Sequence, residues 1–347
     1  MTNREIAKEL GISPAALSIV INNKAGVSEN TRARVLAQLK QMGLENLIKK
    51  NSVSSASSKN LCFIIYKRDG AVLDQHPFFL LLMEYVENHA RTYGYNLLLY
   101  TVDKRSPVEP QIEQLNQLDS QGAIIFATEM QDDDMESFQN LSIPYVVLDN
   151  DFSQLSCNTI SINNEMGTYQ AIEYLVKKGH THIGYLKSSS EISSFQERDR
   201  GYQRALERFH LAFAEKDIWS VHYTEEGSYR DVRESLEHLA VSDLPTAFVS
   251  DDDTIAAGAL RAFREANCFV PEQVSVIGFN DRPSCELTIP PLTTINVSKH
   301  ALAVETVDEL MRLISDPGNG FPERRSRKIR IGTKLVVRQS VKDLSIK

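Results

Sequence analysis

Four cysteines in 347 residues, Cys62, Cys157, Cys268 and Cys285, stand far apart, with no C-x-x-C pair and no His/Cys cluster at metal-ligand spacing. This excludes a disulfide-stapled scaffold and a zinc ribbon, and it fits small buried or free thiols in a reducing compartment. No apolar run approaches the ~18 residues of a membrane span, and the amino terminus reads as a capped helix rather than a charged-then-apolar leader. The expectation is a cytoplasmic protein with no membrane partner. Also missing are a nucleophile elbow, a phosphate-cradling glycine loop and paired carboxylates in glycosidase-like contexts. No catalytic residue, metal or cofactor is therefore expected, and the chain does not read as an enzyme. Its length exceeds one core of ordinary size, so two or three domains are expected.

What is present begins at once. Thr2 and Glu5 make a Thr-x-x-Glu capping box before a short helix whose inner face is Ile6, Ala7 and Leu10. Gly11 supplies the positive φ of a tight turn, Ser13 can cap a second helix with Pro14 at its first position, and Leu17, Val20 and Ile21 return that helix to the core. Two short helices meeting at a glycine turn are a helix-turn-helix, which points to DNA rather than to a surface hairpin with ordinary caps. Ser28 can cap a third helix, carrying Val35, Leu36, Leu39 and Met42 and closed by Gly43. Residues 1–50 hold eight Lys/Arg against four Glu, a net of +4, in a chain whose formal charge is −8. The remainder thus carries −12, which suits a phosphate-contacting head on an acidic body.

The head is assigned to residues 1–45 and a hinge or linker to 46–60, where the serine-rich run Lys49 to Asn60 is nearly devoid of apolar residues. From residue 61 to 347 short apolar β-rich runs alternate with helical stretches. Leu61–Tyr66, Asn96–Val102, Gly122–Ala127 and Pro144–Leu148 form one series; His182–Leu186, Ser220–Tyr223, Thr246–Ser250 and Val274–Phe279 form another. Continuous apolar strands between helices indicate parallel sheets covered on both faces. The fold class is an all-α helix-turn-helix head joined to an α/β body of two parallel-sheet lobes. The first lobe is placed at about 61–160 and 292–324, the second at about 161–291 and 325–345. Ligands of such sheets lie beyond the carboxyl ends of the strands, so the residues just after Phe79, Leu148, Ser250 and Phe279 are candidates.

The chain resembles the LacI-type family of bacterial transcription regulators along nearly its whole length. The head carries Ile6-Ala7, Gly11-Ile12-Ser13, Leu17-Ser18 and Asn22, followed by Val27-Ser28-x-x-Thr31-Arg32. The body adds His76-Pro77-Phe78-Phe79, Lys178-Gly179-His180-x-x-Ile183, Arg198-x-x-Gly201-Tyr202, Asp252-Asp253-x-x-Ala256-x-Gly258, Val270 to Asp281, Pro291-Leu292-Thr293-Thr294 and Arg338-Gln339-Ser340. The resemblance implies a periplasmic-binding-protein-like body of type I, a homodimer binding a roughly two-fold operator, and a repressor whose operator affinity follows a small effector, a sugar or related metabolite, held between the lobes.

Four positions depart from the family pattern. Bases are read in the family mainly through the positions of Pro14, Ala15 and Ile19, none of which can hydrogen-bond here; apolar groups still read thymine methyls. Polar readout then falls to Arg4, Ser13, Ser18, Asn22, Asn23 and Lys24. In the hinge, Val53 stands where the family wedges a leucine into the minor groove. In the cleft, the usual Asn-Asp pair is Asp252-Asp253 and the usual Asp-Asp pair is Asn280-Asp281, as though an amide and a carboxylate had changed places.

The effector candidates are Phe79, Asp149, Arg198, Tyr229, Asp252 and Asn280. Arg198 can fork onto hydroxyls or a carboxylate, unless it makes a salt bridge across the cleft. Phe79 and Tyr229 can stack on a flat ligand face, unless they are ordinary core. The runs Asp251–Asp253 and Asp132–Asp134 invite a metal, but neighbouring carboxylates point apart, so a solvated loop or helix start is expected for both. Arg324 to Arg330 is read as a solvated strand edge or anion-binding face. The alternatives are an enzyme or a plain solute-binding protein of the same two-lobe architecture; binding of a labelled duplex separates these from a regulator.

Overall fold

The computed structural model describes residues 3–21, 27–42, 59–75, 78–237, 239–315 and 325–346. It divides into two compact units, Met1–Lys59 and Asn60–Lys347.

The first unit contains helices α1 (Asn3–Glu9), α2 (Pro14–Ile21) and α3 (Glu29–Gln41). Gly11 turns the chain at φ +65°, and the amide of Ile12 closes back on the Ala7 carbonyl at 3.0 Å. Ser13 caps α2 by accepting from Ala16 N at 3.1 Å, and Ser28 caps α3 by accepting from Thr31 N. Ile6, Ala7, Leu10, Leu17, Val20, Ile21, Val35 and Leu39 make one buried core, the set that helical spacing selects. Thr2 and the Glu5 side chain of the capping box, Gly43 and residues 46–58 of the expected hinge, Val53 included, lie outside the described residues, while Asn60, placed at the end of that hinge, already belongs to a strand.

In the second unit the chain runs β1 (Asn60–Lys67), α4 (Phe78–Thr92), β2 (Asn96–Asp103), α5 (Val108–Leu115), β3 (Gly122–Phe126), α6 (Met135–Phe138), β4 (Tyr145–Leu148) and β5 (Thr159–Ile162). It continues through α7 (Asn164–Lys177), β6 (Ile183–Ser188), α8 (Ser193–Arg208), β7 (Ile218–Val221), α9 (Glu225–Glu237), β8 (Ala247–Ser250), α10 (Asp253–Glu265), β9 (Ser275–Asn280), β10 (Thr293–Val297), α11 (Lys299–Ser315), β11 (Lys328–Ile331) and β12 (Thr333–Val336). The strands form two six-stranded sheets, ordered β11-β5-β4-β3-β1-β2 and β12-β10-β9-β8-β6-β7. Among the described residues the only antiparallel pairing is β10 with β12. Near-continuous burial of β1, β3, β5, β8 and β9 follows from helices on both faces.

Two expectations of lobe membership are corrected. Residues 293–297, assigned to the first lobe, form β10 and pair with β9 in the second sheet, while α11, which follows, packs on α4 and the first sheet. Residues 328–331, assigned to the second lobe, form β11 on the edge of the first sheet beside β5, and only β12 joins the second. The chain therefore crosses between sheets three times, at residues 163, 298 and 332. Among the described residues no helix is long and apolar enough to cross a membrane.

Candidate effector cleft and DNA-facing helix

On α2 the buried positions are Leu17, Val20 and Ile21; Ser13, Pro14 and Ser18 are exposed and Ile19 is half-buried. The structure thus leaves the apolar Pro14 and Ile19 on the outer side of the helix. The side chains of Arg4 and Ala15, and Asn22, Asn23 and Lys24 entirely, lie outside the described residues.

In the larger unit, one slot gathers residues from both sheets. Thr128 and Asp149 follow β3 and β4; Asp252 and Asn280 stand at the ends of β8 and β9; Arg198 comes from α8; Phe79, Phe126, Phe195, Tyr223, Val72, Leu73 and Ile192 supply apolar wall. This is the place the strand ends mark in open parallel sheets. The slot is narrow. About 390 Å³ of space lies between its lining atoms, mouth included, and about 30 Å³ of it is wide enough for the centre of a water molecule. A sugar-sized ring enters only if the lobes part.

Arg198 is buried at 3 % exposure, with its guanidinium 3.8 Å from the centre of the Phe279 ring. Its Nε donates to Asn164 Oδ1 at 2.9 Å and its Nη1 to the Asp251 carbonyl. The position is set by α7 and α8 crossing closely: a Cβ on Gly201 would stand 2.8 Å from Glu165 Cα, so the Arg-x-x-Gly-Tyr motif needs its glycine for packing. Tyr202 anchors the same helix by donating to the Ile183 carbonyl at 2.8 Å.

Asp149 takes a positive φ of 70° and accepts from Thr128 Oγ1 at 2.6 Å. Burial pushes its carboxyl up to about 6, against the opposing pull of Thr128 and Arg198. Asp252 caps α10, accepting from Thr254 N at 2.7 Å, and its other oxygen accepts from Asn280 Nδ2 at 2.5 Å. Arg282 completes the contact at 3.2 Å. The exchanged amide and carboxylate therefore face each other, hydrogen-bonded, on the slot wall. Phe79 both packs on the first sheet's core, 6.3 Å from Phe126, and lines the slot.

Tyr229 does not reach the slot. Helical spacing on α9 turns it against α10, where its hydroxyl donates to Glu265 at 2.5 Å and Arg261 stacks on its ring at 3.9 Å. The aromatic that does reach it is Tyr223, just after β7, packed 5.3 Å from Phe195. Its place after a strand's carboxyl end was the available signal, and Thr128, two residues past β3, carried the same one; Ser194, within α8, did not.

The acidic run Asp251–Asp253 is a helix start, as one of the two expectations had it, with Asp252 the N-cap and Asp253 the first residue of α10, but it is buried rather than solvated. Asp251 accepts from Tyr185 and from Ser188 N, and Asp253 from Thr294 Oγ1 at 2.6 Å and Arg282 N at 2.9 Å. Burial pushes both carboxyls up to about 7, helped for Asp253 by the neighbouring charge of Asp252. In the other run Asp134 is buried between Arg68 and Lys104. No group of three or more His, Cys, Asp or Glu among the described residues could hold a metal ion. Within the basic carboxy-terminal stretch, Lys328 to Arg330 belong to the edge strand β11, and three of the cations are engaged by the protein itself. Arg327 pairs with Glu309, Lys328 donates to the Phe152 carbonyl, and Arg330 pairs with Asp151 at 2.7 Å and Glu197 at 3.0 Å; Arg324 lies outside the described residues.

Residues 2–44 match the sequence model of the bacterial regulatory proteins of the lacI family, and residues 172–341 match that of the periplasmic binding protein-like domain. The head is thus similar to that of the lacI family of bacterial regulatory proteins, and much of the body to the periplasmic binding protein-like domain. Among its relatives is the HTH-type transcriptional repressor PurR of Actinobacillus pleuropneumoniae serotype 3 (strain JL03), 27 % identical over 345 residues and 99 % of each chain. Among solved structures, the transcriptional regulator CelR in complex with cellobiose superposes with a TM-score of 0.69 at 22 % identity, over 98 % of this chain and 99 % of that one. The Lac repressor dimer bound to operator and the anti-inducer ONPF gives 0.70 at 23 % identity over 99 % of each. These likenesses fit a type I periplasmic-binding-protein-like body in a chain whose head is a helix-turn-helix.

Proposed function

We propose that this protein is a homodimeric repressor of the lacI family, whose affinity for a two-fold operator is controlled by an uncharged sugar or related polyhydroxylated metabolite bound in the slot. The observation that carries the reading is the convergence of Arg198, Asp149, Asp252 and Asn280, contributed by both lobes, beside the rings of Phe79 and Phe195. Donors, acceptors and flat apolar faces in one cleft suit a ring bearing hydroxyls. Because both lobes supply contacts, a ligand there has different affinity for different lobe separations, which is the condition for shifting a conformational equilibrium. The CelR complex with cellobiose supports the class of ligand, and PurR and the operator-bound Lac repressor support the output. Two heads on one dimer raise each other's effective concentration, so operator binding gains from pairing.

The test is a thermal-shift screen of sugars and nucleobases against the full chain, followed by duplex binding with and without each hit. A hit that raises the melting temperature and changes operator affinity supports the proposal; turnover of the hit, or a duplex affinity unaffected by every hit, sinks it.

A further inference from the structure

Ile329 and Ile331 of β11 pack on the hydrophobic core, and strand alternation turns Lys328 and Arg330 to the other side. Lys328 donates there to the Phe152 carbonyl at 2.7 Å and to that of Asp151, fixing the loop after β4 that presents the Asp151 carboxylate. Arg330 meets that carboxylate two residues before the chain crosses to the second sheet at residue 332.

A single nitrogen then serves both lobes. Arg330 Nη2 donates to Asp151 Oδ2 at 2.7 Å, within the first lobe, and to Glu197 Oε1 at 3.0 Å, on α8 of the second. The two carboxylate side chains are 9 % and 7 % exposed, so little water is at hand to replace the guanidinium. Arg200 stands 4.0 Å from the same Glu197 oxygen, but it lies on α8 itself and joins nothing across the cleft. The other Glu197 oxygen accepts from Asn164 Nδ2 at 2.9 Å, and Asn164 Oδ1 accepts from Arg198 Nε at 2.9 Å. One chain of hydrogen bonds thus runs from the first lobe to the guanidinium of the slot.

The slot admits a ring only if the lobes part, and turning them about the crossovers pulls Glu197 away from Arg330. We infer that Asp151, Arg330 and Glu197 form an ionic latch that holds the slot shut, so that releasing it is part of the cost of ligand entry. None of the three side chains lines the slot itself, and the latch stands whatever ligand the slot takes. A hydrogen bond between charged groups shifts an equilibrium by about tenfold or more, and that is the factor by which the latch favours the closed form.

The experiment measures how often the slot opens in the full chain without ligand. Ser194→Cys places a thiol in the slot wall at a position 6 % exposed, and the rate at which iodoacetamide labels it follows the open fraction. Peptide mass spectrometry separates it from the four native cysteines, all buried. In this background Arg330→Met should speed labelling about tenfold, and Glu197→Gln should speed it by a smaller factor, because the amide still accepts. Arg330→Lys, which keeps the charge, should restore most of the protection, and Arg330→Met with Glu197→Gln should be no faster than Arg330→Met alone. Val232→Ala, in the core of the second lobe on α9, controls for general loosening and should leave the rate unchanged. An unchanged rate in Arg330→Met, an equal rise in Val232→Ala, a parallel rise at the native cysteines, or independent effects of the two latch substitutions overturns the latch. Should Arg330→Met not fold, Glu197→Gln decides, and a rate equal to that of the Ser194→Cys parent overturns it.

Discussion

Replacing Asp252 by asparagine removes one charge from a group that holds Thr254 N, Asn280 and Arg282. It leaves the helix cap in place, because asparagine caps about as well as aspartate. It takes the carboxylate from Asn280 Nδ2, 2.5 Å away, and from the Arg282 guanidinium at 3.2 Å. A hydrogen bond to a charged group is worth about 1.5–3 kcal/mol, and removing one member of a buried pair costs about 3–5 kcal/mol. Arg282 keeps the Tyr223 hydroxyl at 3.1 Å and its side chain is 12 % exposed, so the lower end applies. We expect Asp252→Asn to destabilise the body by about 2–3 kcal/mol. Asn280→Asp alone sets two carboxylates at hydrogen-bond distance and also destabilises, through like-charge repulsion. Made together, the changes rebuild an amide–carboxylate contact with the roles reversed, still beside Arg282, whose Nη2 lies 3.4 Å from the oxygen that Asn280 now engages. Urea unfolding of the four proteins without ligand should give a favourable coupling of about 1–3 kcal/mol. Titration of the same four with a bound sugar should show the double variant recovering affinity or changing its preferred ligand. Additivity of the two single costs within about 0.5 kcal/mol would refute the reasoning, since residues in contact through one charged hydrogen bond cannot be independent.

Arg198→Ala should abolish the effector's influence on operator binding while basal operator affinity is retained; an undiminished response would return Arg198 to a purely structural role, the part it already plays toward Asn164 and the Asp251 carbonyl. The raised carboxyls of Asp149, Asp251 and Asp253, at about 6, 7 and 7, bind protons more tightly folded than unfolded, so the stability they contribute is complete below about pH 4 and is lost as pH rises through 6 to 7. The melting temperature should accordingly fall between about pH 4 and 7, and Asp251→Asn should flatten that slope; a profile unchanged by the substitution would contradict the assignment. On α2, Ile19→Arg should sharpen preference for guanine at one position per half-site, because a guanidinium reaches both guanine acceptors for ~1–3 kcal/mol; invariant guanines already present and unchanged by Ile19→Ala would mean that another element reads the bases.

Five of the six effector candidates meet in the slot; Arg198, within α8, was legible through the Arg-x-x-Gly-Tyr motif of the resemblance, and for three others the reason is topological. A parallel α/β sheet delivers its strand ends to one edge, so a residue that follows an apolar run already has an address. Asp149, Asp252 and Asn280 have that address. Tyr229 had none: it lies within α9, and the partners that claim it, Glu265 and Arg261, belong to α10 some thirty residues on. Lobe membership past residue 292 was illegible for a related reason. β10, β11 and β12 are four or five residues long, too short to display a period, and which sheet each joins is settled by pairing with β9, β5 and β10 rather than by anything in the strand itself. The burial of Asp251–Asp253 was hidden likewise, because the groups that satisfy them, Tyr185, Ser188, Arg282 and Thr294, come from other segments.

The slot residues are also the ties of the surrounding structure, and this connects binding to lobe geometry. Asp252 caps α10 and holds Asn280 and Arg282; Arg198 holds Asn164 at the start of α7 and the Asp251 carbonyl. Beside Arg198, Glu197 accepts from Asn164 at 2.9 Å and from Arg330 at 3.0 Å, and Arg330 lies on the crossover strand β11 with its other contact on Asp151 of the first lobe. The ties of Asp252 stay within the second lobe, but a ligand that draws Arg198 toward itself pulls on Asn164, which also holds Glu197 and through it the Arg330 contact that crosses between the lobes. Affinity for one lobe arrangement over another follows from that shared use of the same side chains, and a coupling of the usual ~1–3 kcal/mol asks for the gain or loss of no more than one such hydrogen bond.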